Sequence, residues 1–199
     1  MGSRMMGWMV RRRTLFLVVV PVAAAFVARP HAWLYALGLA LAAAGQAVRL
    51  WSAGHIQKGE RLASDGPYAW VRNPLYLGSL LITLGWAAMC GRAEAAVVLV
   101  GCFFLTHWPT ILSEERFLRE RFGPEFEEYY RRVPRLFPRP RRVRPAPLPD
   151  GASNAPLPDG ASNAPGGFSW RRAIAVNGEG RGALGVALLA MVYGARLWL

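Results

Sequence analysis

The chain has 199 residues, 53% of them hydrophobic, a mean hydropathy of +0.20 and a formal charge of +12. Its two cysteines and three histidines give neither a disulfide framework nor zinc-ligand spacing, which argues against a resident metal. The charge is arginine apart from Lys58 and gathers beside apolar blocks, at Arg11 to Arg13 and from Arg116 to Arg172, as a topology signal does; without a recognition module it argues against nucleic acid as a partner.

The long apolar blocks predict an all-α, polytopic transmembrane helix bundle of about five spans, with a short cytoplasmic helical segment after span four. Thr14 to Ala28 reads as the first span, short and interrupted by Pro21. A cleaved signal peptide has the same pattern, but the spans that follow fix the protein in the membrane and favour a retained helix. The second span, over 32–53, carries Gly38, Ala42 and Gly45, small residues that let a neighbouring helix approach closely. A polar loop from Gly54 to Asn73 leads to a third span over 74–89. A tight turn near Gly91 then makes the fourth, 95–112, its antiparallel neighbour.

Cytoplasmic helices are expected over about 113–132, completing a membrane domain of residues 1–140. A basic linker follows over 141–181, in which the nine-residue unit APLPDGASN occurs twice between Ala146 and Asn163; its Pro, Gly and small polar residues cannot build a core. Residues 182–199 form a last apolar block, predicted as the fifth span. The distribution of arginine places the N-terminus and both polar motif segments in the cytoplasm, as in a bacterial inner membrane.

Two segments carry the chemistry. The first, GPYAWVRNPLYLGSLL from Gly66 to Leu81, opens the third span. Asn73 before Pro74 predicts an N-cap followed by a proline at the first helical position. The free N–H groups and positive dipole end of that turn suit a carboxylate or phosphate, with Arg72 beside them. Gly78 and Gly85, seven apart, leave room for a ligand or a helix; Tyr68 and Tyr76 bring hydroxyls to the same mouth. A capped helix with a topology arginine and interfacial tyrosines explains each residue singly.

The second, SEERFLRERFGPEFEEYYRRVPRLFP from Ser113 to Pro138, follows the fourth span. Glu114 and Glu115 stand at the membrane edge, where an ionised carboxylate is costly unless it meets a cation. The tight turn between spans three and four brings them toward Asn73, so Arg72 or a cationic ligand is the partner. An amphipathic surface helix accounts for the aromatic spacing of Phe117, Phe122, Phe126, Tyr129 and Tyr130, but not for the paired acids.

Together the segments resemble the integral-membrane methyltransferases related to isoprenylcysteine carboxyl methyltransferase and phosphatidylethanolamine N-methyltransferase. The first motif matches at Gly66, Tyr68, Arg72, Asn73, Pro74, Tyr76 and Gly78. The second matches at Glu114, Glu115, Phe122, Gly123, Phe126, Tyr130, Val133, Pro134, Arg135 and Pro138. Asn73 replaces the histidine typical of the isoprenylcysteine enzymes and looks more like the phospholipid enzymes.

The resemblance implies S-adenosylmethionine as cofactor, bound by Gly66, Tyr68, Asn73, Pro74, Tyr76, Gly78, Glu114 and Glu115, with Arg72, Tyr76 and Glu115 in catalysis. It implies membrane lipids as surroundings and a lipid-like, prenylated or otherwise amphiphilic acceptor. Two other readings compete: a sterol-type reductase using NADPH, which shares R-x-P-x-Y but uses more spans, and a non-catalytic lipid binder acting through the basic stretch Arg131 to Arg144.

Overall fold

The structure is a computed structural model that describes residues 18–56, 62–138 and 168–198. The arginines at 11–13, Lys58 and the duplicated APLPDGASN unit lie outside the described residues, as does the start of the first predicted span. Every regular element among the described residues is helical: α1 over 18–26, α2 (Ala32–His55), a 3-10 turn (Gly66–Ala69), α3 (Pro74–Cys90), α4 (Ala93–Phe122), α5 (Pro124–Arg132), a π-helical turn (Arg172–Val176) and α6 (Glu179–Ala195).

By length and composition two of these, α2 and α4, are long and apolar enough to cross a membrane, and α3 is a shorter apolar helix. This is fewer than the five spans expected. At 17 residues, α3 and α6 would each be about 26 Å long against a hydrocarbon core of about 30 Å. Glu179 and Arg181 also fall inside α6, diluting the apolar block that begins at Gly182.

Antiparallel helices α2 and α3 are joined through glycine. A Cβ on Gly45 would stand 2.5 Å from the Gly78 carbonyl oxygen, and one on Gly38 would stand 2.4 Å from that of Gly85. Backbone meets backbone at both rungs, which is how membrane helices gain dispersion contact where no hydrophobic drive separates them from lipid. The space beside Gly78 and Gly85 is therefore taken by a helix rather than by a ligand.

α4 runs unbroken for 30 residues, past Leu112 where the sequence reading ends a span. Polar residues alone do not stop a helix; the break comes at Gly123, with φ at 51°, and Pro124 starts α5. Within α4, Pro109 removes one ladder donor, while Thr106, Thr110 and Ser113 hydroxyls donate to carbonyls of the preceding turn.

The C-terminal segment belongs to the bundle. The Ser169 N–H and the Asn177 amide donate to the carbonyls of Gly54 and Ala53 at the end of α2. Tyr193 donates to the Pro21 carbonyl in α1 at 2.8 Å, and Tyr35 of α2 donates to that of Ala190 in α6. Arg49 of α2 pairs with Glu179 of α6 at 2.7 Å.

Candidate functional site

The polar loop after α2, the start of α3, the end of α4 and α5 line a cavity of about 630 Å³. Its construction begins with Val133 to Pro138. Leaving α5, this strip crosses the start of α3, where the carbonyls of Pro134 and Arg135 accept the N–H groups of Arg72 and Asn73 at 2.8 and 3.1 Å. Leu136 plugs into the α3–α4 seam against Leu80 and Phe103. Phe126, Tyr129 and Val133 pack with Leu62, binding the polar loop to α5.

Glu115 is the hub of the polar side. Arg135 grips it with Nη2 to Oε2 at 2.8 Å and Nε to both oxygens at 3.1 Å. Arg72 Nη2 lies 3.4 Å from Oε1, and the Asn73 amide donates to the same oxygen at 3.2 Å. Only 5% of Glu115 is exposed, so the carboxylate can stay buried because two guanidiniums and an amide surround it. Bonding to Glu115 holds the Arg135 guanidinium pKa above its usual value. Arg72 is fixed further by donating to the Tyr130 carbonyl at 2.7 Å and by lying 3.8 Å over that ring.

The expected N-cap bond of Asn73 is absent: its side chain turns to Glu115 and the Arg135 carbonyl, where a buried carboxylate needs the donor more than the helix end does. The first turn of α3 offers fewer donors than expected, because Pro74 has no N–H and those of Tyr76 and Leu77 both reach the Asn73 carbonyl.

Glu114 faces the other way. It is exposed on the cavity wall and accepts a hydrogen bond of 2.7 Å from Tyr76. Tyr68, Arg72, Asn73, Pro74, Tyr76, Glu114 and Glu115 thus share one cavity. Gly66 and Gly78 do not line it. Gly66 takes a left-handed φ of 54° with its α-carbon against the His55 ring, and Gly78 faces α2.

Two wall residues hold buried polar atoms without a partner, the Tyr68 hydroxyl and Arg72 Nε. Burial holds the Tyr68 hydroxyl well above its ordinary pKa, so it remains a donor at neutral pH. The carbonyl of Tyr68 accepts from Tyr129 at 2.8 Å. Buried donors of this kind call for an acceptor. Sequence reasoning left Arg135 and Tyr130 as pattern matches without a role and gave His107 none. His107 is buried, stacked on Phe103 at 4.3 Å and edge-on to Tyr76 at 5.5 Å. Its spacing four residues after Phe103 was the available signal.

Among the described residues, two apolar helices of membrane-spanning length stand beside a polar, arginine-braced chamber. Residues 33–125 match the model of the phospholipid methyltransferase family. The cobalt-zinc-cadmium resistance protein CzcN of Cupriavidus metallidurans is 44% identical over 105 residues, 52% of this chain and 47% of that protein. The protein-S-isoprenylcysteine O-methyltransferase of Schizosaccharomyces pombe is 32% identical over 108 residues, 52% of this chain and 44% of that one. The mouse Delta(14)-sterol reductase TM7SF2 is 30% identical over 86 residues, 20% of its length. The chain spans about half the length of the first two relatives. No solved structure matches it.

Proposed function

We propose that the chain is an S-adenosylmethionine-dependent methyltransferase that works at the cytoplasmic edge of the membrane on a lipid-like, prenylated or otherwise amphiphilic acceptor drawn from the bilayer. The observation that carries this reading is one cavity holding both sets of groups the cofactor needs. Unpaired donors stand at Tyr68 and Arg72, a carboxylate at Glu114, and an apolar wall at Leu62, Phe122 and Phe126. The family match and the isoprenylcysteine methyltransferase relatives point the same way.

In this arrangement Tyr68 and Arg72 hold a carboxylate, Glu114 takes an ammonium or ribose hydroxyls, and the apolar wall covers a flat ring. When bound, the cofactor supplies an electrophilic methyl group for direct displacement, so the protein's work is alignment and exclusion of water. Tyr76 and Glu114 are the pair at the reacting space. An acceptor that carries a proton can pass it through the Tyr76 hydroxyl to Glu114, and a carboxylate acceptor has none to pass. Glu115, expected in catalysis, becomes a positioning residue that fixes Arg72 and Arg135.

Membranes containing the full chain, incubated with radiolabelled S-adenosylmethionine, should transfer label to lipid or to a lipidated protein. Glu114→Gln and Tyr76→Phe should each lower that transfer at least about tenfold, the scale of one proton-handling or orienting group. Label in neither fraction would overturn the reading.

A further inference from the structure

A second cavity, of about 580 Å³, lies between α1, α2, α3, α4 and α6. It shares Leu75 and Tyr76 with the first cavity and follows one face of α3 through Ser79 and Thr83 to Trp86. The ten-residue rise from Tyr76 to Trp86 makes it about 15 Å long. One end therefore opens on the side chain that touches Glu114, and the other lies well inside the bundle.

Its polar fittings are specific. Gln46 is 9% exposed and its Nε2 faces Glu179 Oε2 at 3.4 Å. A carboxylate only accepts, so this contact fixes the amide orientation and leaves Gln46 Oε1 turned away, buried and without a partner. Trp86 Nε1, on the same lining, is likewise buried and unpartnered. The half-buried Arg49 on the wall is already neutralised, since it donates to both oxygens of Glu179 at 3.0 and 2.7 Å. Arg181, also on the wall, is exposed. The interior thus presents an orphan acceptor and an orphan donor beside Ser79, Thr83 and His107, with the Arg49–Glu179 pair neutralising itself. Glu179 and the α6 side of the cavity lie outside the family-matched segment 33–125.

We propose that this second cavity seats the acceptor, and that α6 makes it selective for an uncharged amphiphile whose apolar chain carries a group that both donates and accepts hydrogen bonds, such as a hydroxyl or an amide. The proposal rests on the methyltransferase reading for the meaning of the shared end at Tyr76. Bound there, the acceptor gives a donor to Gln46 Oε1 or an acceptor to Trp86 Nε1, while its reacting end reaches the first cavity. A buried polar pair left empty discriminates strongly against a plain hydrocarbon.

The test uses the full purified chain and tritiated 1-dodecanol, with unlabelled 1-dodecanol, dodecane and dodecanoate as competitors and S-adenosylmethionine binding measured in parallel. Dodecanol should compete at least about fivefold better than either of the others, the scale of one net hydrogen bond. Gln46→Leu and Trp86→Phe should each weaken its binding by a similar factor while leaving cofactor affinity within about twofold. Gly185→Leu should abolish it without harming the fold, because a Cβ there meets nothing within 4 Å and the side chain fills the cavity.

Equal competition by dodecane, tighter binding of dodecanoate, or dodecanol binding that survives Gly185→Leu would overturn the proposal. So would cofactor binding with no dodecanol binding, which leaves the methyltransferase reading standing. Dodecanol binding without cofactor binding would instead remove that reading and keep the site.

Discussion

Replacing Glu115 with alanine is expected to destabilise the protein by about 3–5 kcal/mol, the penalty for stranding a buried ion partner. Arg72 is the reason. Its side chain is 7% exposed, so without Glu115 its charge keeps only the Tyr130 carbonyl and ring. Arg135, at 27% exposed, can swing outward and recover water. Arg135→Ala should therefore cost less than Glu115→Ala, even though its hydrogen bonds to Glu115 are the shorter ones. For a chain of this size the Glu115→Ala loss corresponds to a drop in melting temperature on the order of 10 °C, readable by tryptophan fluorescence in detergent. A fall within a degree or two would show that the cluster is not buried as described. A larger effect for Arg135→Ala would reverse the proposed order.

The second large effect belongs to the glycine rungs. In Gly45→Leu the new Cβ would stand 2.5 Å from the Gly78 carbonyl oxygen and 2.9 Å from the backbone nitrogen of Ile82, and backbone atoms cannot rotate away. The helices must separate, at a cost of about 1–3 kcal/mol for overpacking alone and more through lost contact along the seam. Gly45→Ala should already show part of this loss. Gly101→Ala is the matched control. A Cβ at that exposed site on α4 meets nothing within 4 Å, so it should be neutral or stabilising by up to about 1 kcal/mol through helix propensity. Melting curves of the three variants side by side decide the matter; equal behaviour of Gly45→Ala and Gly101→Ala would contradict the close packing.

The same residues show what could be read from sequence. The small residues at 38 and 45 were legible as a close helix contact and the glycines seven apart at 78 and 85 as an open face for a ligand or a helix, because spacing alone puts each set on one face; that the two faces meet was not legible. The approach of Glu114 and Glu115 to Arg72 and Asn73 was legible too, because a tight turn leaves two consecutive helices little choice but to run side by side. What spacing cannot fix is which way each acid points. Adjacent helix positions are about 100° apart, so one glutamate turned inward to the arginines while the other took the cavity wall.

The side-chain cap of Asn73 failed for a related reason. A local rule weighs a residue against its own helix, whereas the buried carboxylate that captured its amide comes from 42 residues along the chain. Arg135 matched a pattern without a visible partner until the strip after α5 folded back across α3. The place of 168–198 in the bundle was least legible. A composition that reads as linker plus apolar block gives no sign that Glu179 will meet Arg49, 130 residues away. The unbroken course of α4 past Leu112 has the simplest cause: polarity marks where the membrane ends, and a helix ends only where its backbone does.

Whether the cavity lined by Glu114, Tyr76, Tyr68 and Arg72 holds the methyl donor is decided by calorimetric titration of the purified chain with S-adenosylmethionine. Saturable binding at one site per chain is expected. Glu114→Gln should weaken it at least about tenfold, a charge-assisted hydrogen bond's worth, and Gly101→Ala should leave it unchanged. Absence of binding by the folded protein, or binding undiminished in Glu114→Gln, would contradict the donor's place in that cavity.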